Sequence, residues 1–128
     1  MNFRKFKTSS GKLVLGGKNA ENNEELLKQV KDKELVLHTE KPGSPFVNIK
    51  LEKGKRVTEK DIYESALFCA VYSQDWKHNH NNVVVNIFKG ENIFKERKMK
   101  LGTFGVKKNK KIAVKKKDIE NLEKEIKR

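Results

Sequence analysis

The sequence predicts an α+β domain, a largely antiparallel sheet backed by two main helices, with a short C-terminal helix at the end. Three observations carry this reading. Apolar runs of strand length recur along the chain, consecutive runs are joined by short turns, and two segments open with helix-start signals. At 128 residues there is enough chain for one domain with a modest core and too little for two.

The elements follow in order. Phe3 and Phe6, then Leu13-Val14-Leu15, bracket Ser9-Ser10-Gly11, which reads as a β-hairpin. A glycine pair leads into a helix from Glu21 to Val30, with Leu26, Leu27 and Val30 facing inward, Glu24 and Glu25 in its early turns, and Asn19 as N-cap. Two strands, Glu34 to Thr39 and Phe46 to Leu51, flank Pro42-Gly43-Ser44-Pro45, which holds both prolines of the chain and fixes where His38 and Ser44 point. Beyond a turn at Gly54, Thr58 and Asp61 form a capping-box start for the longest helix, Glu59 to about Trp76, apolar nearly all round from Ile62 to Tyr72. Asn81-Asn82 breaks before a strand from Val83 to Phe88. Ile93-Phe94, Lys100 to Val106 and Ile112 to Val114 read as further short strands, with bends at Gly102, Gly105 and Asn109. Asp118 to Arg128 reads as an amphipathic helix, apolar at Ile119, Leu122 and Ile126, set apart from a domain spanning residues 1–117.

Composition points to an anionic partner. The net charge is +13, and from Lys89 to Lys117 there are twelve Lys or Arg against two Glu. A solvated lysine surface is the plain explanation, but self-repulsion disfavours such clustering unless a polyanion uses it. If six of these lysines meet phosphates, affinity falls by about three decades between low and moderate salt. Cys69 is the sole cysteine, which excludes an internal disulfide. No apolar run approaches the roughly 20 residues of a membrane span, and the basic N-terminus lacks the apolar core of a signal peptide. A cytoplasmic protein with no membrane partner is expected.

The sharpest local motif is Gly16-Gly17-Lys18-Asn19-Ala20, running from a strand into a helix. Glycines allow a close backbone approach, Lys18 adds a cation, and first-turn amides suit phosphate. The same residues equally make an ordinary strand-to-helix connection. Downstream stand Leu37-His38-Thr39, Pro42-Gly43-Ser44, and Tyr72-Ser73-Gln74-Asp75-Trp76-Lys77. With these four motifs in this order, from about Lys12 to Lys115, the chain resembles the NFACT-R family of RNA-binding domains. Its proteins act with tRNA on the large ribosomal subunit when stalled nascent chains are rescued. Family members often carry a Trp two residues before the strand histidine and a His after Pro-Gly-Ser; here those places hold Val36 and Pro45. Larger members add an N-terminal tRNA-binding domain, a helix-hairpin-helix and a long coiled coil. None is seen here, so a free-standing adaptor without template-free tailing is the expectation.

Other chemistries fare less well. Gly11 and Gly16 have the spacing that opens a P-loop, but Gly17 stands where the phosphate-binding lysine belongs, and no Ser or Thr follows Lys18. His78 and His80 lie two apart without an evident third metal ligand, and Cys69 falls in the apolar helix, where a thiol is usually a small hydrophobe. No motif supports Cys69 with His38 as a nucleophilic pair. His38 reads either as a satisfied strand-end residue or as a group that donates to phosphate or stacks on a base. Trp76 reads either as a hydrophobic lid at a helix end or, beside Lys77, as a stacking platform.

The resulting expectation is non-catalytic binding of structured RNA, either tRNA or ribosomal RNA, with the large ribosomal subunit among its partners and with neither metal nor cofactor. Gly16, Gly17, Lys18 and Asn19 hold phosphate in this reading. His38, Pro42, Gly43 and Ser44 meet the backbone, Trp76 and Lys77 flank it, and Lys98, Lys100, Lys107, Lys108, Lys110 and Lys111 supply bulk attraction. A DNA-binding basic protein and a small enzyme on a phosphorylated substrate, built around Lys18 and His38, are the alternatives.

Overall fold

Alternation along the strands decides the layering. In the computed structural model, which describes residues 2–127, Val14 faces one side of its strand, while Leu13 and Leu15 face the other. The strands β1 (Arg4–Lys7), β2 (Leu13–Gly16), β3 (Leu35–Thr39), β4 (Val47–Ile49), β5 (Val83–Lys89) and β8 (Lys110–Val114) form one six-stranded sheet. Its order is β1-β2-β4-β3-β5-β8, and every neighbouring pair is antiparallel. A separate two-stranded ribbon pairs β6 (Ile93–Phe94) with β7 (Gly105–Val106).

One sheet face carries Val14, Leu37, Val47, Ile49, Val83 and Val85 and packs against α2 (Glu59–Val71) and α4 (Lys116–Ile126). The opposite face carries Leu15, Val36 and Phe88 and packs against α1 (Ala20–Lys28) through Leu26 and Leu27, and against the ribbon through Ile93 and Val106. Helices therefore lie on both faces. On this second face the cover is partial, and beyond Val36 and Phe88 the sheet meets a cleft.

Caps fix the helices where the sequence places them. The Asn19 side chain accepts from the Asn22 amide at 2.8 Å. Thr58 and Asp61 form a full capping box, and Asp61 also accepts from Ser10 Oγ at 2.6 Å and pairs with Lys12 at 3.5 Å, tying the first hairpin to α2. Burial works to raise the Asp61 pKa, but hydrogen bonds from Ser10, the Thr58 amide and Thr8 outweigh it and hold the carboxyl well below the usual carboxylate range.

Three expectations need correcting. The long helix does not continue to Trp76. Ser73 Oγ donates to Ala70 O at 2.7 Å and accepts from the Trp76 amide at 3.1 Å, closing α2 and opening α3 (Gln74–Asn79). The Gln74 amide turns instead to Gly43 O at 2.7 Å. Second, within Lys100 to Val106 only Gly105 and Val106 pair as strand, because Thr103 closes a local turn onto Lys100 O and Lys95 is wrapped by the carbonyls of Lys100 and Thr103. Third, the terminal helix begins at Lys116, and Ile119 is fully buried in the same core as α2. Tyr63 donates to Asp118 at 2.5 Å and Trp76 Nε1 to Glu123 at 3.0 Å, so α4 is tied into the fold. Arg128 of that expected helix lies outside the described residues.

Candidate nucleic-acid interface

A cleft of about 590 Å³ opens on the partly covered sheet face. The loop into α1 forms one side, the turn from Glu40 to Phe46 another, and Leu101 to Phe104 a wall; His38 and Asn86 stand where the sheet enters it. Chain segments far apart in sequence thus bring Gly17, Lys18, Asn19, His38, Pro42, Gly43, Ser44 and Lys77 into one lining.

The glycine pair is spent on packing. A Cβ on Gly16 would lie 2.9 Å from the Phe68 ring, and one on Gly17 would lie 1.8 Å from Asn23 Oδ1. Asn23 Oδ1 is needed there because it accepts from the Phe46 amide at 3.1 Å, locking α1 to β4. The amides expected to hold phosphate are partly committed as well. Gly17 donates to Phe46 O at 3.0 Å and Lys18 to Asn22 Oδ1 at 2.9 Å. The amides of Ala20 and Glu21, in the first turn of α1, have no partner among the described residues, so of the expected amides these first-turn ones keep their anion capacity.

The donors expected of the neighbouring turn are also restricted. His38 Nδ1 lies 2.7 Å from Thr39 O, and a carbonyl only accepts, so Nδ1 carries the hydrogen and Nε2 is left as an acceptor. Burial pushes the His38 pKa down, against the opposing hydrogen bond to Thr39, which keeps the ring neutral. A neutral Nε2 acceptor does not donate to phosphate; it takes a hydroxyl or an amino group. Ser44 Oγ donates to Pro45 O at 3.1 Å and accepts from the Thr39 amide at 3.1 Å, so its hydrogen holds the turn together. Gly43 has φ +91° and presses against Gln74, where a Cβ would lie 2.6 Å from the Gln74 side chain.

Trp76 is 1% exposed, with its ring 3.9 Å from that of His80 and its indole hydrogen bonded to Glu123. The stacking-platform reading of Trp76 is therefore corrected to the lid reading, because the ring lies inside the core. His80, which sequence placed in a two-histidine pair, stacks on that ring and faces Glu120 at 3.7 Å.

Lys18, Lys77, Lys98, Lys100, Lys107, Lys108 and Lys110 are exposed, and none has an ion pair among the described residues. Lys111 pairs with Glu40 beside the cleft, and Lys95 is held by Glu24 at 2.8 Å. The lysine stretch is thus divided into committed and free cations, a division that sequence does not reveal.

Sequence reading missed several lining residues. Arg4 reaches the cleft from β1, donating to Gly17 O at 2.5 Å while its guanidinium lies 4.2 Å from the Tyr72 ring centroid. Phe46, Phe88 and Phe104 line an aromatic side, with Phe46 edge-on to Phe104 at 5.7 Å and to Phe88 at 6.5 Å. Asn86 gave the one available signal, as the single polar residue in the run Val83 to Phe88.

Comparison with known proteins agrees with this architecture. The family model described as the NFACT protein RNA binding domain matches residues 2–108. A curated relative, the archaeal Rqc2 homolog aRqcH of Methanocaldococcus jannaschii, is 36% identical over 96 residues; the match takes in 73% of this chain and 14% of that protein. Among solved structures, the C-terminal part of the fibronectin/fibrinogen-binding protein from Streptococcus suis superposes with a TM-score of 0.79 at 22% identity, over 90% of this chain and 45% of the other, which speaks to fold alone. With the family match spanning most of the sheet and all of the cleft lining, this chain belongs to the NFACT RNA-binding domain family.

Proposed function

We propose that this chain is a non-catalytic binder of structured RNA, tRNA or ribosomal RNA, working at the large ribosomal subunit in ribosome-associated quality control or translation in the cytoplasm. The observation that carries the reading is the cleft. It joins the cations Lys18 and Lys77 to an aromatic side and a polar sheet face, with further free lysines beside its Leu101 to Phe104 wall in the chain. Phosphates supply attraction to such a surface, while unpaired bases and ribose hydroxyls supply discrimination. Family membership and the Rqc2-homologue relative support the same direction. One observation supports a non-catalytic role: the Cys69 thiol is fully buried and its pKa is pushed up to about 12 by that burial, so it is no thiolate nucleophile.

The test is binding of labelled tRNA and of a length-matched DNA duplex across a salt series, for the wild type and Lys18→Ala. Preference for tRNA, weakened several-fold by Lys18→Ala at constant salt, is the expected result. Equal binding of both polymers with no effect of Lys18→Ala would leave only a generic basic surface and overturn the reading.

A further inference from the structure

The cleft holds polar groups that the fold does not use. Asn86 stands in β5 directly across from His38 in β3, and its Oδ1 is closed to solvent with no hydrogen-bond partner. Buried polar atoms are nearly always paired, so an unpaired one at a cleft wall calls for a partner. Asn19 and Asn23 line the same cleft, yet their side-chain oxygens are committed to the amides of Asn22 and Phe46. Beside Asn86, His38 Nε2 has no partner among the described residues and is the acceptor nitrogen of its ring.

The Asn86 side-chain amide both donates and accepts and His38 Nε2 only accepts, so together they do not single out a phosphate. They suit a ligand that brings hydrogens, such as a ribose hydroxyl or the edge of an unpaired base. Phe104, half-buried and edge-on to the buried Phe46, offers apolar surface for that base, and Lys18 offers a cation at the rim for its phosphate. A volume of about 590 Å³ falls in the range of small-ligand sites, and such a site takes a nucleotide rather than a helical segment.

We propose that this cleft is a pocket for one unpaired ribonucleotide of the bound RNA, with its base against Phe104 and on the Asn86 amide, and its 2′-hydroxyl donating to His38 Nε2. The assignment rests on the RNA-binding reading above and adds a ribose-specific subsite to it. A side-chain amide can pair with the edge of a base only when that edge is free of its Watson–Crick partner, so the pocket selects loops, bulges or ends. The hydroxyl acceptor gives the site its means of telling RNA from DNA.

The experiment is ¹⁵N-resolved NMR titration of the full chain with AMP, dAMP and inorganic phosphate, alongside tRNA binding under the same conditions. AMP is expected to shift the Asn86 side-chain amide and the His38 ring, dAMP to bind several-fold more weakly, and phosphate to move only the resonances near Lys18 and Ala20. Asn86→Leu is expected to weaken AMP at least tenfold while leaving thermal stability equal or higher, since it removes an unpaired buried oxygen. His38→Phe, which keeps an aromatic ring against Phe46, is expected to erase the AMP-to-dAMP difference. If tRNA binds but AMP shifts only what phosphate shifts, or AMP and dAMP bind alike, the pocket is refuted while RNA binding stands. If tRNA itself fails to bind, both fall together.

Discussion

Gly17→Ala tests whether the glycine pair serves packing or a ligand. The added methyl would sit 1.8 Å from Asn23 Oδ1 and 2.8 Å from its Cγ, so the Asn23 side chain must swing away. Doing so breaks its bond to the Phe46 amide, which is buried and would be left without a partner. Leaving such a donor unsatisfied costs about 1–3 kcal/mol, and forcing a methyl into a packed site costs a further ~1–3 kcal/mol. A loss of about 2–6 kcal/mol in urea unfolding is therefore expected. The cycle with Asn23→Ala isolates the cause. On that background the contacts with Oδ1 and Cγ disappear and the nearest approach becomes 3.2 Å, to the Asn23 Cα, so Gly17→Ala should cost markedly less than it does alone. Equal costs on both backgrounds would refute the packing argument. So would a stable Gly17→Ala variant that had lost RNA affinity, the outcome that a phosphate-cradling turn predicts.

Three further predictions follow from the same geometry. Trp76→Phe removes the bond to Glu123 and part of a fully buried ring, so it should cost about 1–3 kcal/mol while leaving RNA affinity of the folded protein unchanged; a loss of affinity without a loss of stability would restore the stacking reading. Replacing Lys107, Lys108 and Lys110 with Ala should make the slope of log affinity against log salt shallower by up to about 2–3, with unfolding free energy within ~0.5 kcal/mol of wild type; an unchanged slope would show that these lysines do not meet phosphates. Stability should fall on acidification. The pKa of Asp61 is lowered from 3.8. That of Glu34, which accepts from the Lys31 and Leu51 amides and from Lys50 at 2.8 Å, is lowered from 4.5 because these bonds outweigh its burial. In both cases the unfolded chain takes up protons first, so their stabilisation is complete above about pH 5 and drains away as pH falls through the lowered values. His38, whose pKa is lowered from 6.5 by burial, adds a loss of the same sign that begins below pH 6.5. A urea midpoint constant from pH 7 to pH 3 would contradict this.

What sequence could show was local. The caps at Asn19 and Thr58 and the turn at Pro42-Gly43 rest on interactions within a few residues, so composition and spacing reveal them. The break at Ser73 was illegible because serine tolerates a helix interior. Ser73 closes α2 by local bonds, and what holds the chain in that break is the Gln74 amide reaching Gly43 O, a contact across thirty-one positions of chain. Trp76 is similar: sequence left a lid and a surface platform both open, and what decides for the lid is α4, which reaches the ring from a distant part of the sequence. The candidate cleft was half legible, since its motifs were visible and their convergence was not. Whether a donor such as Ser44 Oγ or the Lys18 amide is free depends on what lies opposite it, and no spacing rule encodes that.

The cations behind the net charge of +13 do not all carry the same meaning. The six-stranded sheet is open at both ends, and its edge strands β1 and β8 carry Arg4, Lys5, Lys7, Lys110 and Lys111. Cations on an edge strand block pairing with another sheet, so part of the basicity would be needed whatever the protein bound. Lys18 and Lys77 lie on no strand. They project at a cleft whose floor is polar and whose side is aromatic, where no edge requires protection. A count of lysines therefore says little about the ligand, whereas the position of these two says much. They stand at the cleft that also presents Phe104, His38 and Asn86, so a cation there serves a ligand and not the sheet edge.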